Sequence, residues 1–269
     1  MGKRLLAVAA GAALLSIPAL AGNVILTGHD DDFHQSAEAD AQALAMITFA
    51  RAGSALPVVT FDAGSELTSM LTTLGISFVN VDPGVAIDPT VFDATKYSAM
   101  VVASDQSCGG CDNNSTDSAN LAADSAAIAS FFNAGGGIVA FAGASNTSYY
   151  SFLPASASNP GIVDCCGGFS QTAAGAGISV PADNTDFPHN FFAFPGTGGM
   201  DPNWKVAETF TGGSSVGPLV DQPFTVFIQN GTIGSTGFVG GGTPEPGSIM
   251  LLGTALMGLA FGVRRRCRS

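Results

Sequence analysis

From Asn23 onward, short apolar runs alternate with stretches whose apolar residues recur at helical spacing. Asn23–Thr27, Pro57–Phe61, Ile76–Val81, Tyr97–Ala103 and Gly137–Ala142 read as five strands. Between them, Ser36–Ala52 places Ala39, Ala43, Met46, Ile47 and Ala50 at helical spacing and stops at Gly53. Ser65–Leu74 reads as a second helix closed by Gly75. Asp117–Ala134 sets Leu121, Ile128, Phe131 and Phe132 on one side, with Asp117 and Ser118 as caps and Gly135-Gly136-Gly137 as the stop. Strands this apolar need cover on both faces, so the pattern predicts an α/β fold: a three-layer, doubly wound, mostly parallel sheet. After Gly143 the periodicity weakens. Tyr149–Pro154 reads as a helical turn or two, and Ala155–Gly199 mostly as loop. Strands are expected again at Trp204–Phe210 and Phe224–Gln229, where Asn230-Gly231 predicts a turn into a late hairpin with Ile233–Val239. No internal repeat is visible.

Both ends of the chain break the pattern. Lys3 and Arg4 precede an apolar run, Leu5–Leu20, and Ala19-Leu20-Ala21 supplies small residues at the two positions a signal peptidase reads. Residues 1–21 are therefore expected to be a signal peptide, cleaved before Gly22. At the other end Pro244-Glu245-Pro246 is followed by an uncharged run, Gly247–Val263, and then by Arg264, Arg265, Arg266 and Arg268. Such a run is just long enough to span a bilayer, and the arginines hold its end in the cytoplasm. The three parts, in this order, resemble the PEP-CTERM sorting signal of Gram-negative bacteria. That resemblance implies sorting by an exosortase, a membrane helix at 247–263 that holds the chain transiently in the inner membrane, and delivery to the cell surface or beyond. The alternative for residues 243–269 is an ordinary membrane anchor. An exported α/β domain, 22–242, lies between the two signals.

Removing both ends changes the charge. Arg51, Lys96 and Lys205 are the only bases between Gly22 and Gly242, against twenty acids, a net −17. Such a body repels nucleic acid and acidic headgroups and attracts divalent cations. The 35 glycines are about twice the usual share.

Within the body, Phe131-Phe132-Asn133-Ala134-Gly135-Gly136-Gly137-Ile138-Val139-Ala140-Phe141 follows a strand–helix series and resembles the core of ThuA-like and class I glutamine-amidotransferase-like domains. The resemblance spans Ser98–Ser145 and implies a flavodoxin-like arrangement with functional residues on the turn after the last strand. An amidotransferase carries a nucleophilic Cys on that turn. Here the turn is Ala142-Gly143-Ala144-Ser145, so that chemistry does not transfer, and Ala142 stands where ThuA-like proteins often carry a His.

Four stretches offer chemistry. Gly28-His29-Asp30-Asp31-Asp32-Phe33-His34 follows the first strand, at the sheet edge where doubly wound folds bind ligands. His29, Asp31 and His34 are the residue types of a zinc site, and three adjacent Asp suit calcium. The competing reading is an acidic loop that caps the next helix. Cys108, Cys111, Cys165 and Cys166 suggest a four-thiolate zinc site, a redox pair or, in an oxidising compartment, disulfides, which we expect. Cys267 lies in the basic tail. Asp105–Asp117 offers oxygens for calcium or a polar loop with a capped helix start. Asp183–Asn190 holds His189, which meets His29 or Asp31 if the loop folds over the edge. No G-x-S-x-G elbow, P-loop or dinucleotide fingerprint occurs.

Two functions follow from these residues. One is a non-catalytic surface or extracellular-matrix protein that binds a glycan, an ion or a partner, associated with exopolysaccharide and biofilm as the sorting signal implies. The other is an extracytoplasmic, metal-assisted hydrolase acting on a carbohydrate-related substrate through His29, Asp31 and His189. The expected partners are signal peptidase, exosortase and exopolysaccharide, and the only cofactor suggested is a divalent cation, calcium or zinc.

Overall fold

The structure, a computed structural model, describes residues 22–153, 156–163, 167–185, 189–234 and 237–239. The first strands and helices alternate as β1 (Gly22–Thr27), α1 (Ala37–Arg51), β2 (Val58–Phe61), α2 (Glu66–Thr73), β3 (Phe78–Val81) and β4 (Ala99–Val102). There follow α3 (Ser115–Ala123), α4 (Ser125–Asn133) and β5 (Gly137–Ala140), then β6 (Phe169–Gln171), α5 (Ala173–Gly177), β7 (Lys205–Gly212), β8 (Leu219–Gly234) and β9 (Gly237–Val239).

The sheet order is β3-β2-β4-β5-β1-β8-β7-β6, with β9 on β8. β1 to β5 form a parallel half, while β8, β7 and β6 extend it antiparallel. The fold is α/β, as the apolar strands predict, but the sheet is mixed rather than mostly parallel. β1 is the seam, parallel to β5 on one side and antiparallel to β8 on the other.

Alternate residues of each buried strand face opposite layers. Val24, Leu26, Met100 and Ile138 pack with Leu121, Ile128, Phe131 and Phe132 of α3 and α4. Ile25, Val101 and Val139 pack with Ala43, Met46 and Ile47 of α1 and Leu67, Met70 and Leu71 of α2. Helices on both faces give three layers. Full burial of Phe131 and Phe132 contributes about 1.5–3 kcal/mol each.

Two expectations are corrected. The single helix over 117–134 is two, because Asp124 leaves helical geometry (φ −95°, ψ 12°) and turns the chain between them. Asn230-Gly231 does not end a strand: β8 runs through it, with Asn230 in the left-handed region (φ 52°), and pairs with β9 through Thr232–Gly234. Among the described residues, the stretch between Ala155 and Gly199 is mostly loop, as expected, and holds only the short β6 and α5.

Candidate functional site at the carboxyl edge of the seam strand

β1 ends at Thr27, whose hydroxyl lies 2.9 Å from that of Thr225 on β8 and accepts the His29 N–H at 3.2 Å. This turns His29 away from the parallel half and onto the antiparallel one. Its ring lies between Phe169 of β6 and Phe224 of β8, with centroids 4.7 and 4.6 Å away. Its Nε2 is 3.1 Å from Oε2 of Glu208 on β7. Glu208 also accepts from Gln42 Nε2 at 3.2 Å, Thr225 Oγ1 at 2.6 Å and the Asp183 N–H at 3.0 Å. Every other partner of this carboxylate donates, and the His29 tautomer with its hydrogen on Nε2 completes that set. His29 and Glu208 are both buried.

Gly28 admits the loop that crosses this edge. Its carbonyl accepts the N–H groups of His189 and Asn190 at 3.0 and 3.2 Å, and a Cβ here would overlap the Asn190 carbonyl. The crossing loop brings His189 Nε2 to 2.7 Å from Asp30, whose carboxylate also takes His34 Nδ1 at 3.0 Å. His34 and His189 stack with centroids 5.9 Å apart. Asp183 enters on the other flank. His29, Asp31 and Asp183 each bring one ligand atom to within 4.8 Å of the others, and all three are 0 % exposed.

This edge is rich in buried acid. Asp30, Asp31, Asp32, Asp105, Asp183 and Glu208 are at most 2 % exposed, whereas the three bases of the body lie elsewhere. Arg51 binds Ser98 and Leu56 at the opposite edge, Lys96 pairs with Asp93, and Lys205 lies over Phe227. Buried charge must be paired, protonated or bound to an ion. Asp32 follows the second course. Burial raises its carboxyl to about 8, against hydrogen bonds from the Ser104 hydroxyl at 2.7 Å and N–H at 2.8 Å.

The order of the parallel strands reverses at β2 and β4, the place where α/β sheets usually open a ligand crevice. Here the β4–α3 loop fills it. Asn113 donates to the carbonyls of Phe61 and Ala103 at 2.9 and 3.0 Å and accepts the Ala63 N–H at 3.1 Å, bridging both strand ends. Asp112 accepts the Glu66 N–H at 2.6 Å, placing a carboxylate of the chain where an anion would sit at the start of α2. Asn114 and Asp117 form a capping box on α3, so this loop takes the capped-start role rather than that of a calcium loop. The turn after β5 is sharp, with Ala144 in the left-handed region (φ 44°), and it carries no cysteine.

The acidic loop after β1 does not cap α1. Ser36 does, accepting the Ala39 N–H. Cys108 and Cys111 are joined to each other, so Cys108 has no thiolate to offer beside Asp30 and His189. Cys111 Sγ lies 3.4 Å from Asp30 but, oxidised, has no proton to donate. Cys165 and Cys166 lie outside the described residues, as do the predicted signal peptide, the sorting residues Pro244, Glu245, Pro246, Arg264, Arg265 and Arg266, the 247–263 stretch and Cys267.

The predicted residues thus divide. His29 and Asp31 come together, but Asp183 joins them, while His34 and His189 converge on Asp30. Sequence reading missed Glu208 and underused Asp183. The only available signal for Glu208 was a lone acid inside an otherwise uncharged strand core.

Residues 243–266 match the family model of the PEP-CTERM protein-sorting motif. The chain is therefore an exosortase-sorted, exported protein, held at the membrane before processing and extracellular after it. No curated protein and no solved structure matches the chain. Among the described residues, no helix is long and apolar enough to cross a membrane.

Proposed function

We propose that the mature protein is a non-catalytic component of the cell surface or extracellular matrix, associated with exopolysaccharide, whose α/β body binds rather than transforms its partner. The observation that carries this reading is the crevice between β2 and β4, filled by Asn113 and Asp112 of the chain's own loop. A ligand at that crevice would have to displace four hydrogen bonds already made there. The elbow at Ala144, without the cysteine of an amidotransferase, supports the same reading.

The second reading is a metal-assisted hydrolase, and the grouping of His29 and Asp31 with Asp183 favours it. Their full burial ranks it lower, because a substrate would need the 189–190 crossing to open. The two separate experimentally. The full chain, secreted by an exosortase-bearing host, is incubated with exopolysaccharide isolated from that host. Saturable binding without release of reducing sugars or acyl groups is expected. Product release abolished by His29→Ala would overturn the binding reading in favour of hydrolysis.

A further inference from the structure

Asp32 is held by the Ser104 hydroxyl and N–H, and the other buried carboxylates of the carboxyl edge can be taken one at a time. Asp30 receives two imidazoles, and Glu208 receives four donors. Asp183 is different. Its Oδ1 accepts the N–H and hydroxyl of Thr185 at 2.7 and 2.8 Å. Its Oδ2 is buried with no hydrogen-bond partner among the described residues. That orphaned oxygen belongs to a residue grouped with His29 and Asp31, in a region with no lysine or arginine to neutralise it. Leaving a charged oxygen buried and unsatisfied costs several kcal/mol, and a cation removes that cost.

We propose that His29, Asp31 and Asp183 form a binding site for one zinc-class divalent cation. The inference goes beyond the binding reading above and does not depend on it. Two carboxylates balance a divalent charge, and the imidazole favours a borderline transition ion over calcium, which takes oxygen. In the tautomer that donates Nε2–H to Glu208, Nδ1 is the ring atom that would meet the ion. A ligating histidine characteristically donates its other ring N–H to a carboxylate. Glu208 plays that part twice, since its Oε1 also accepts the backbone N–H of Asp183. One carboxylate therefore positions two of the three ligands. The protein ligands are fully buried, so the ion acts as a clamp: it ties the loop at Asp183 to the turn after β1. Ser36 bonded to Thr185, and Glu38 accepting the Asn184 N–H at 3.2 Å, dock the same loop onto the start of α1.

The group Asp30, Cys108 and His189 is the competitor, and the disulfide removes its thiolate. The test distinguishes the two. The full chain, secreted with its signals intact and purified without chelator, is analysed for metal by mass spectrometry. It is then stripped with a zinc chelator, and Zn2+ is titrated back while melting is followed. One zinc-class ion per chain is expected, with a Tm that falls on stripping and recovers with Zn2+ but not with Ca2+. Asp183→Asn should abolish uptake, Glu208→Gln should weaken it 10–100-fold, and His189→Ala should leave it unchanged. Absence of metal together with a Tm indifferent to stripping and to Zn2+ would overturn the site, whether or not the variants fold. So would a folded Asp183→Asn chain that binds like the parent, or uptake lost only in His189→Ala.

Discussion

His29 and Glu208 stand 179 residues apart in the chain and 3.1 Å apart in the fold, imidazole Nε2 to carboxylate Oε2. The contact bridges the seam: His29 extends the last parallel strand, and Glu208 belongs to the antiparallel extension. Aromatic rings of Phe169 and Phe224 keep water from it. Glu208→Ala should therefore cost about 3–5 kcal/mol, because it strands several buried donors at once. Urea unfolding monitored by circular dichroism checks this. A loss below about 1 kcal/mol would mean that the network does not hold the two halves together.

Gly28 makes a second demand on the same seam. Gly28→Ala places a methyl group on the Asn190 carbonyl, so the crossing loop must lift and His189 must leave Asp30. We expect a destabilisation of about 2–3 kcal/mol and a loss of hydrogen-exchange protection at the His189 and Asn190 amides. Protection that matched the parent would show that the loop is not seated by Gly28.

Asp62 predicts a pH dependence. Burial, hydrogen bonding to Asp112 and the charge of Asp112 raise its carboxyl to about 7. In the unfolded chain it titrates near 4. Between these values the folded state binds more protons than the unfolded state, so this group makes stability fall as pH rises from about 4 to about 7. Asp62→Asn should flatten that slope. An unchanged slope in denaturant midpoints measured across this window would refute the assignment.

The disulfide expectation takes a local form. Non-reducing peptide mapping of secreted protein should recover Cys108 linked to Cys111. So short a loop contributes only about 2 kcal/mol by chain entropy, less than a long staple would. Two free thiols at these positions would contradict the pairing.

We expect sorting to depend on the basic tail. Replacing Arg264, Arg265, Arg266 and Arg268 by Asn removes the charge that orients the preceding apolar run. The variant should remain unprocessed or mis-sorted, seen as a shift in mature mass and in cell fraction. Wild-type mass and location would show that the arginines are dispensable.

The sequence alone determined the strand–helix alternation, because burial on both faces leaves a local signature: runs such as Val24–Leu26 and Val101–Val102 with no polar residue. It determined the sorting signal too, since a membrane and a processing enzyme read contiguous residues. It pointed to the loop after β1 as the place for chemistry, on the rule that strand ends gather ligands. Only the tertiary structure decided the rest. That β1 sits between two halves of opposite sense depends on pairings with β5 and β8 far away in sequence. That Asp183, rather than His34, joins His29 and Asp31 depends on where a loop of weak periodicity crosses the sheet. Glu208 gives no local sign of its role. A single acid in a strand reads the same whether it faces water or anchors a buried histidine, and only its neighbours in space separate the two.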